Sequence, residues 1–110
     1  MVPELDIRSF AAARADGATV IDVREPAEYL SGHVPGARPI PLSAVAQHAS
    51  DLPANRPVYV ICASGNRSLR AAEQLRSRGI EAISVAGGTS EWISQGRPVV
   101  RGPQADEAAA

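Results

Sequence analysis

The chain has 110 residues, the size of a single domain, and 45% of them are hydrophobic, which is ordinary for a globular protein with a packed core. The formal net charge is −1, so neither nucleic acid nor an anionic membrane is indicated as a partner. All 11 basic residues are arginine, which excludes Schiff-base chemistry and phosphate binding by a P-loop lysine.

Short apolar runs and helical spacings alternate along the chain. The predicted strands lie around Leu5 and over residues 19–23, 40–42, 58–61 and 82–85, with a further short one at 99–100. The predicted helices begin after Asp6, near Pro26, after Ser43, after Asn66 or Ser68, and after a turn at Gly87 and Gly88. This alternation predicts an α/β fold: a central parallel sheet of about five strands, flanked by helices on both faces.

The two ends of the chain differ in what they can bury. Residues 1–101 hold the predicted elements and form the predicted domain, whereas residues 102–110 carry almost nothing to bury and predict a flexible tail. The amino terminus lacks the basic and apolar regions of a signal peptide, and no apolar run approaches membrane-spanning length. A cytoplasmic protein with a free thiol and no membrane partner is therefore expected.

The stretch 58–68 carries the strongest functional signal. A β-branched apolar run predicts a buried strand, the only cysteine, Cys62, stands at its carboxyl end, and a polar loop leads into a helix. In open parallel sheets, sites form at the carboxyl ends of strands, where loops meet helix amino termini. Backbone N–H groups and a positive helix end favour a thiolate and bound anions there. Cys62 is therefore a candidate nucleophile in an anion-binding loop.

A lone cysteine after an apolar strand is more often a buried core residue. Two loop residues favour the functional interpretation. An ordinary strand-to-helix turn has no need of Arg67, and Gly65 lets the backbone bend so that several N–H groups converge. A free thiol with a pKa of about 8.5 is a few per cent thiolate at pH 7, and lowering that pKa by about two units would make it mostly thiolate.

The pattern Cys-x-x-Gly-x-Arg-Ser at 62–68 resembles the active-site loop of rhodanese-family sulfurtransferases. Three further stretches resemble that family's other signatures, in the same order: Asp22-Val-Arg-Glu-Pro-Ala-Glu-Tyr29, Gly32-His-Val-Pro-Gly-Ala37 and Gly87-Gly-Thr-Ser-Glu-Trp92. The resemblance covers roughly residues 5–100. It implies a five-stranded parallel sheet flanked by helices, and a cysteine that carries sulfur as a persulfide.

By this resemblance, Cys62 is the nucleophile of a thiosulfate sulfurtransferase. Its thiolate would attack the outer sulfur of a donor such as thiosulfate, and the persulfide would pass that sulfur to cyanide, a small thiol or the thiol of a partner protein. The persulfide and the donor would lie against the backbone amides of the loop, which comprises Ala63, Ser64, Gly65, Asn66, Arg67 and Ser68. No metal or organic cofactor is expected, and a single cysteine excludes an internal disulfide, a multi-cysteine metal site and an internal resolving thiol.

The charged residues near the predicted site have open roles. Arg67 either binds the donor anion or braces the loop through its fork of donors. Asp22, Arg24 and Glu28 are interpreted as an ion-pair network and not as an acidic catalytic set. Arg24 and Glu28 are four residues apart, the spacing at which side chains on a helix meet. Because Asp22 and Arg24 lie at the end of a predicted strand, they are candidates for supporting the loop from behind.

Two other functions are compatible with this fold. A non-catalytic binding module would dock a partner, but it has no need of the cysteine and the loop arginine that are present. A phosphatase of the Cdc25 type, or an arsenate reductase, would direct Cys62 at an oxyanion; the related phosphatases place one more residue between cysteine and arginine than this chain does. They also need a general acid, and none is evident near the loop. Ala63 leaves the loop mouth less charged, so donor preference stays open.

Overall fold

The sheet is built from short strands with mostly buried central residues. In the computed structural model, which describes residues 2–106, the strands are β1 (Glu4–Leu5), β2 (Thr19–Asp22), β3 (Arg38–Pro39), β4 (Val58–Ile61) and β5 (Ala82–Val85). Every neighbouring pair is parallel, in the order β1-β5-β4-β2-β3. Strand β4 is central, and its Val58, Val60 and Ile61 are fully buried, as expected for a strand covered on both faces. The predicted α/β class and five-stranded parallel sheet are confirmed.

In the described part of the chain, four α-helices connect successive strands and a fifth follows β5: α1 (Ile7–Ala15), α2 (Pro26–Ser31), α3 (Val45–His48), α4 (Asn66–Arg76) and α5 (Gly88–Ser94). Asp6 caps α1 as predicted, because its carboxylate accepts the N–H of Ser9 at 2.8 Å. The cap of α4 is Gly65, in the left-handed conformation with φ of 110°, and not Asn66 or Ser68 as predicted. Within residues 2–106, no helix is both long and apolar enough to cross a membrane.

Two apolar clusters fill the space between the sheet and the helices. Successive residues of β4 alternate between them, so the clusters lie on opposite faces of the sheet. The first cluster joins the sheet to α3 and α4 and includes Cys62, whereas the second joins it to α1, α2 and α5 through Phe10, Tyr29 and Trp92. Cys62 therefore rests on the packed core below α4.

Three boundaries at the sheet edges differ from the prediction. The edge strand is β3, not residues 40–42, because Pro41 offers no N–H and a 3-10 turn begins at Leu42. Ser43 lies inside that turn and its side chain forms no cap hydrogen bond. The predicted strand at 99–100 is only an isolated antiparallel bridge between Val100 and His33.

The first residues of the predicted tail are hydrogen-bonded to the domain. The N–H of Gly102 donates to the carbonyl oxygen of Leu30 at 2.9 Å, and the N–H of Gly36 donates to the carbonyl oxygen of Ala105 at 2.7 Å. These bonds hold this part of the chain against the loop after α2. Residues 107–110, the end of the predicted tail, lie outside the described residues.

Candidate active site

Cys62 lies at the carboxyl end of β4, the position at which parallel sheets build their sites. Its side chain is 1% exposed. On the adjacent strand β2, Asp22 is in register with Ile61, and the N–H of Val23 donates to the carbonyl oxygen of Ile61 at 2.9 Å. The register therefore brings the cysteine loop and the segment after β2 to the same edge of the sheet.

The loop after Cys62 curls so that donors converge on its sulfur. The N–H of Gly65 lies 3.1 Å from Sγ and the N–H of Ser68 lies 3.3 Å from it. The left-handed conformation of Gly65 produces this curl and starts α4 directly above the sulfur. The thiol itself donates to the hydroxyl of Ser68, with Sγ 3.4 Å from Oγ. The sequence predicted converging amides, and the structure shows which ones point at the sulfur.

The environment of Cys62 favours the thiolate. Burial raises the pKa of this thiol, but hydrogen bonds from the side chain of Ser68 and from the backbone N–H groups of Ser68, Gly65 and Ser64 lower it. The hydrogen bonds prevail, and the pKa of Cys62 lies below its ordinary value. The same donors stabilise negative charge on Sγ.

A second buried hydroxyl stands behind Ser68. Its Oγ lies 2.8 Å from the Oγ of Ser84, and both side chains are fully buried. The Ser68 hydroxyl donates to the carbonyl oxygen of Gly65 at 3.1 Å when Cys62 is a thiol, and it can turn to donate to the sulfur when Cys62 is a thiolate. Sequence reasoning missed Ser84; the only available signal was a serine within the apolar strand β5.

Helix α5 holds the backbone of the loop from the other side. The N–H of Thr89 donates to the carbonyl oxygen of Cys62 at 2.8 Å, and the N–H of Ser90 donates to that of Ala63 at 3.0 Å. Gly88 makes this approach possible, because a Cβ there would lie 2.5 Å from the carbonyl oxygen of Cys62. The Gly87–Gly88 turn predicted from the sequence is thus also a close contact with the site.

Asp22 and Arg24 form a buried ion pair next to the loop. The guanidinium of Arg24 donates to both carboxylate oxygens of Asp22, with Nη2 to Oδ2 at 2.8 Å and Nε to Oδ1 at 3.0 Å. Nη2 also donates to the carbonyl oxygen of Gly32 at 2.8 Å. The pair fastens the segment after β2 to the residue that follows α2.

The side chain of Arg67 binds a carboxylate on α2. Its Nη1 and Nη2 donate to the two carboxylate oxygens of Glu28 at 2.7 and 2.9 Å. These hydrogen bonds lower the pKa of Glu28 to about 2, so the carboxylate is ionised at neutral pH. The predicted ion-pair network exists, but Glu28 binds Arg67 and not Arg24. The two roles considered for Arg67 both stay predictions, and its observed partner is Glu28.

The comparisons with known proteins agree with this geometry. The family described as "Rhodanese-like domain" matches residues 6–95. The thiosulfate sulfurtransferase GlpE of Pseudomonas entomophila is 37% identical over 84 residues, which make up 76% of this chain and 77% of that protein. The crystal structure of a rhodanese-related protein from Thermoplasma volcanium, at 35% identity, superimposes with a TM-score of 0.82 and covers 89% of this chain and 97% of its own.

A further relative, the Bacillus subtilis protein YqhL, is named as uncharacterized and is 45% identical over 76 residues, or 68% of this chain. This chain spans only 60% of that protein's length. The extent of the family match and the likeness to GlpE are decisive: the chain belongs to the rhodanese-like domain family. In the part of the chain that the structure describes, no group of three or more histidine, cysteine, aspartate or glutamate side chains is placed to hold a metal ion.

Proposed function

We propose that the protein is a sulfurtransferase that moves a sulfane sulfur from thiosulfate or a similar donor to cyanide or a thiol acceptor, through a persulfide on Cys62. The observation that carries the proposal is the convergence of the Gly65 and Ser68 N–H groups on Cys62 Sγ, at 3.1 and 3.3 Å. A cysteine that only fills the core needs no such donors. A nucleophilic thiolate and an anionic persulfide are both stabilised by them.

The proposed chemistry has two half-reactions. The Cys62 thiolate attacks the outer sulfur of the donor, a new S–S bond forms, and the donor's own S–S bond breaks with its electron pair leaving on sulfite when the donor is thiosulfate. An acceptor thiolate or cyanide then attacks the outer sulfur of the persulfide and releases the Cys62 thiolate. The backbone amides from Ala63 to Ser68 stay in place throughout as fixed dipoles, so the site needs no reorganisation.

The acceptor must come from outside the chain, because Cys62 is its only cysteine. Cyanide, a small cellular thiol and the thiol of a partner protein are the acceptor classes that fit this chemistry. We place the reaction in the cytoplasm, where free thiols persist. Asp22 and Arg24 are assigned a supporting role, since both are buried and each is bound by the other.

The decisive experiment is the intact mass of the purified protein after incubation with thiosulfate, measured before and after addition of cyanide. We expect a gain of one sulfur atom that cyanide removes, and no gain in the Cys62→Ser variant. The absence of a gain in the wild-type protein, with a thiol that also resists alkylation at neutral pH, would contradict the proposal and favour the binding-module hypothesis. Phosphate release from an aryl phosphate that depends on Cys62 would favour the phosphatase hypothesis.

A further inference from the structure

The two arginines beside the sulfur-binding loop are both occupied by carboxylates. Arg24 is bound by Asp22 through two parallel hydrogen bonds, and Arg67 is bound in the same way by Glu28. The charges of these four side chains cancel. They therefore supply no net positive charge to attract a doubly charged donor, and the attraction that remains comes from backbone amides and the start of α4.

Glu28 is fixed in place by more than its arginine. Its Oε1 also accepts the N–H of Glu25 at 3.0 Å, because Glu25 and Glu28 form a capping box at the start of α2. The carboxylate is thus attached to the backbone of its own helix as well as to Arg67. It cannot follow Arg67 if that side chain turns toward a ligand, so a donor anion has to compete with Glu28 for the guanidinium.

Arg67 is close enough to the site for this competition to matter. It follows Cys62 by five residues, at the start of α4, and the charge of Cys62 raises the pKa of Arg67, after the larger effect of the hydrogen bonds that Arg67 donates to Glu28. Its side chain is 34% exposed, so a ligand has access to it. Without Glu28, Arg67 would be an unpaired cation at the mouth of the loop, well suited to bind a dianion.

We propose that Glu28 is a specificity-determining residue: by occupying Arg67 it disfavours dianionic donors such as thiosulfate relative to singly charged organic persulfides. The inference rests on the proposed sulfur transfer and names the donor class for the same site. With a persulfide donor, Cys62 attacks the terminal sulfur, the new S–S bond forms as the donor's S–S bond breaks, and the electron pair leaves on the donor thiolate. No proton or further oxidant is consumed.

The test is the Glu28→Gln variant, which removes the charge while leaving an oxygen that can accept a hydrogen bond from Arg67. Its kcat and KM are compared with those of the wild type for two donors, thiosulfate and N-acetylcysteamine persulfide. We expect the KM for thiosulfate to fall roughly 3- to 10-fold, with kcat and the KM for the persulfide changed less than about 2-fold. Raising the ionic strength should shrink this gain, since salt screens the exposed charge.

Glu25→Gln is the matched control, because it makes the same chemical change in the same turn of chain without touching Arg67. It should leave both KM values unchanged; an equal gain in this variant would mean that net charge alone matters and would overturn the proposal. Thermal unfolding checks that each variant folds. If Glu28→Gln does not fold, Glu28→Ala replaces it, and the KM for thiosulfate is expected to fall in that variant too.

Two further outcomes are decisive. Equal changes of KM for both donors, or a loss of kcat with both, would show that Glu28 only braces the loop, and would overturn the specificity role while leaving sulfur transfer intact. If the wild-type protein takes no sulfur from either donor, the proposed function fails and the inference fails with it. The two failures are thereby distinguishable.

Discussion

The loop at residues 62–68 and the charged residues beside it use their polar groups in opposite ways. In the loop, the backbone N–H groups of Gly65 and Ser68 are aimed at one atom, the Sγ of Cys62. Beside it, the carboxylates and guanidiniums are bound to one another. A side-chain substitution leaves the backbone N–H dipoles in place, whereas a single substitution is enough to break an ion pair. The chemistry should therefore depend on the loop, and stability and donor preference on the ion pairs.

The largest effect on the loop side is expected from Cys62→Ser. A serine hydroxyl accepts the same N–H donors but does not form a persulfide, so sulfur transfer should fall to background. The free energy of unfolding should change by no more than about 1 kcal/mol, because the buried position keeps a polar atom with hydrogen-bonding partners. Turnover with thiosulfate and cyanide, together with a denaturant titration, checks both statements. Retained turnover would refute the mechanism.

The largest effect on the ion-pair side is expected from Asp22→Asn. Asp22 is fully buried, and removing its charge leaves the Arg24 guanidinium buried without a counter-ion. Breaking a buried pair in this way costs about 3–5 kcal/mol. Denaturant unfolding at neutral pH measures the loss, and Asp51→Asn, at an exposed position, is the control. A loss below about 1 kcal/mol would show that the buried pair is unimportant for stability.

The contact between α5 and the loop is tested by Gly88→Ala. The new methyl group would lie 2.5 Å from the carbonyl oxygen of Cys62 and 2.6 Å from that of Ala63, so the loop must move. Overpacking and left-handed strain together should cost about 2–4 kcal/mol, and displaced donors should lower sulfur transfer. In Gly17→Ala, where φ is also positive but nothing lies within 4 Å, only the strain of about 1 kcal/mol is expected. Equal losses in the two variants would contradict a role for the close contact.

Local patterns predicted the fold and the position of Cys62 at the end of a strand. The apolar run at 58–61 is short, β-branched and followed by a polar loop, and these neighbours along the chain are enough to place Cys62 at a strand end. Sequence patterns do not predict the side-chain pairs that tertiary packing selects. Glu28 binds Arg67, which lies 39 residues away, and Ser68 meets Ser84 across 16 residues.

The predicted pairing of Arg24 with Glu28 shows why such errors arise. Their spacing is helical, but α2 begins only at Pro26, so Arg24 is not on the helix and the spacing rule does not apply to it. The carboxylate of Asp22, two residues earlier, is fully buried and takes the guanidinium of Arg24. Likewise, Gly65 is the N-cap of α4 because the loop curls around Cys62. The side-chain preferences of N-cap residues do not predict this curl.

A smaller effect on the loop side is expected from Ser68→Ala. The variant loses the hydroxyl that stabilises the thiolate, so the pKa of Cys62 should rise. The pH profile of iodoacetamide alkylation should shift to higher pH, with the rate above the new pKa unchanged. Ser84→Ala should shift the profile in the same direction by less, because it removes only the second hydroxyl. An unshifted profile in Ser68→Ala would exclude the hydroxyl as a source of activation.

The smallest effect is expected from the ion pair of Glu28 and Arg67 on stability. The pKa of Glu28 is lowered from 4.5 to about 2, so this pair stabilises the folded state above pH 4.5 and loses its contribution as the pH falls toward 2. Because both side chains are at least one-third exposed, solvent screening should keep the contribution below about 1 kcal/mol. Denaturant titrations of the wild type and Glu28→Gln should therefore show a small gap at neutral pH that closes at about pH 2. A gap that persists in acid would mean that Glu28 stabilises the fold through contacts other than its charge.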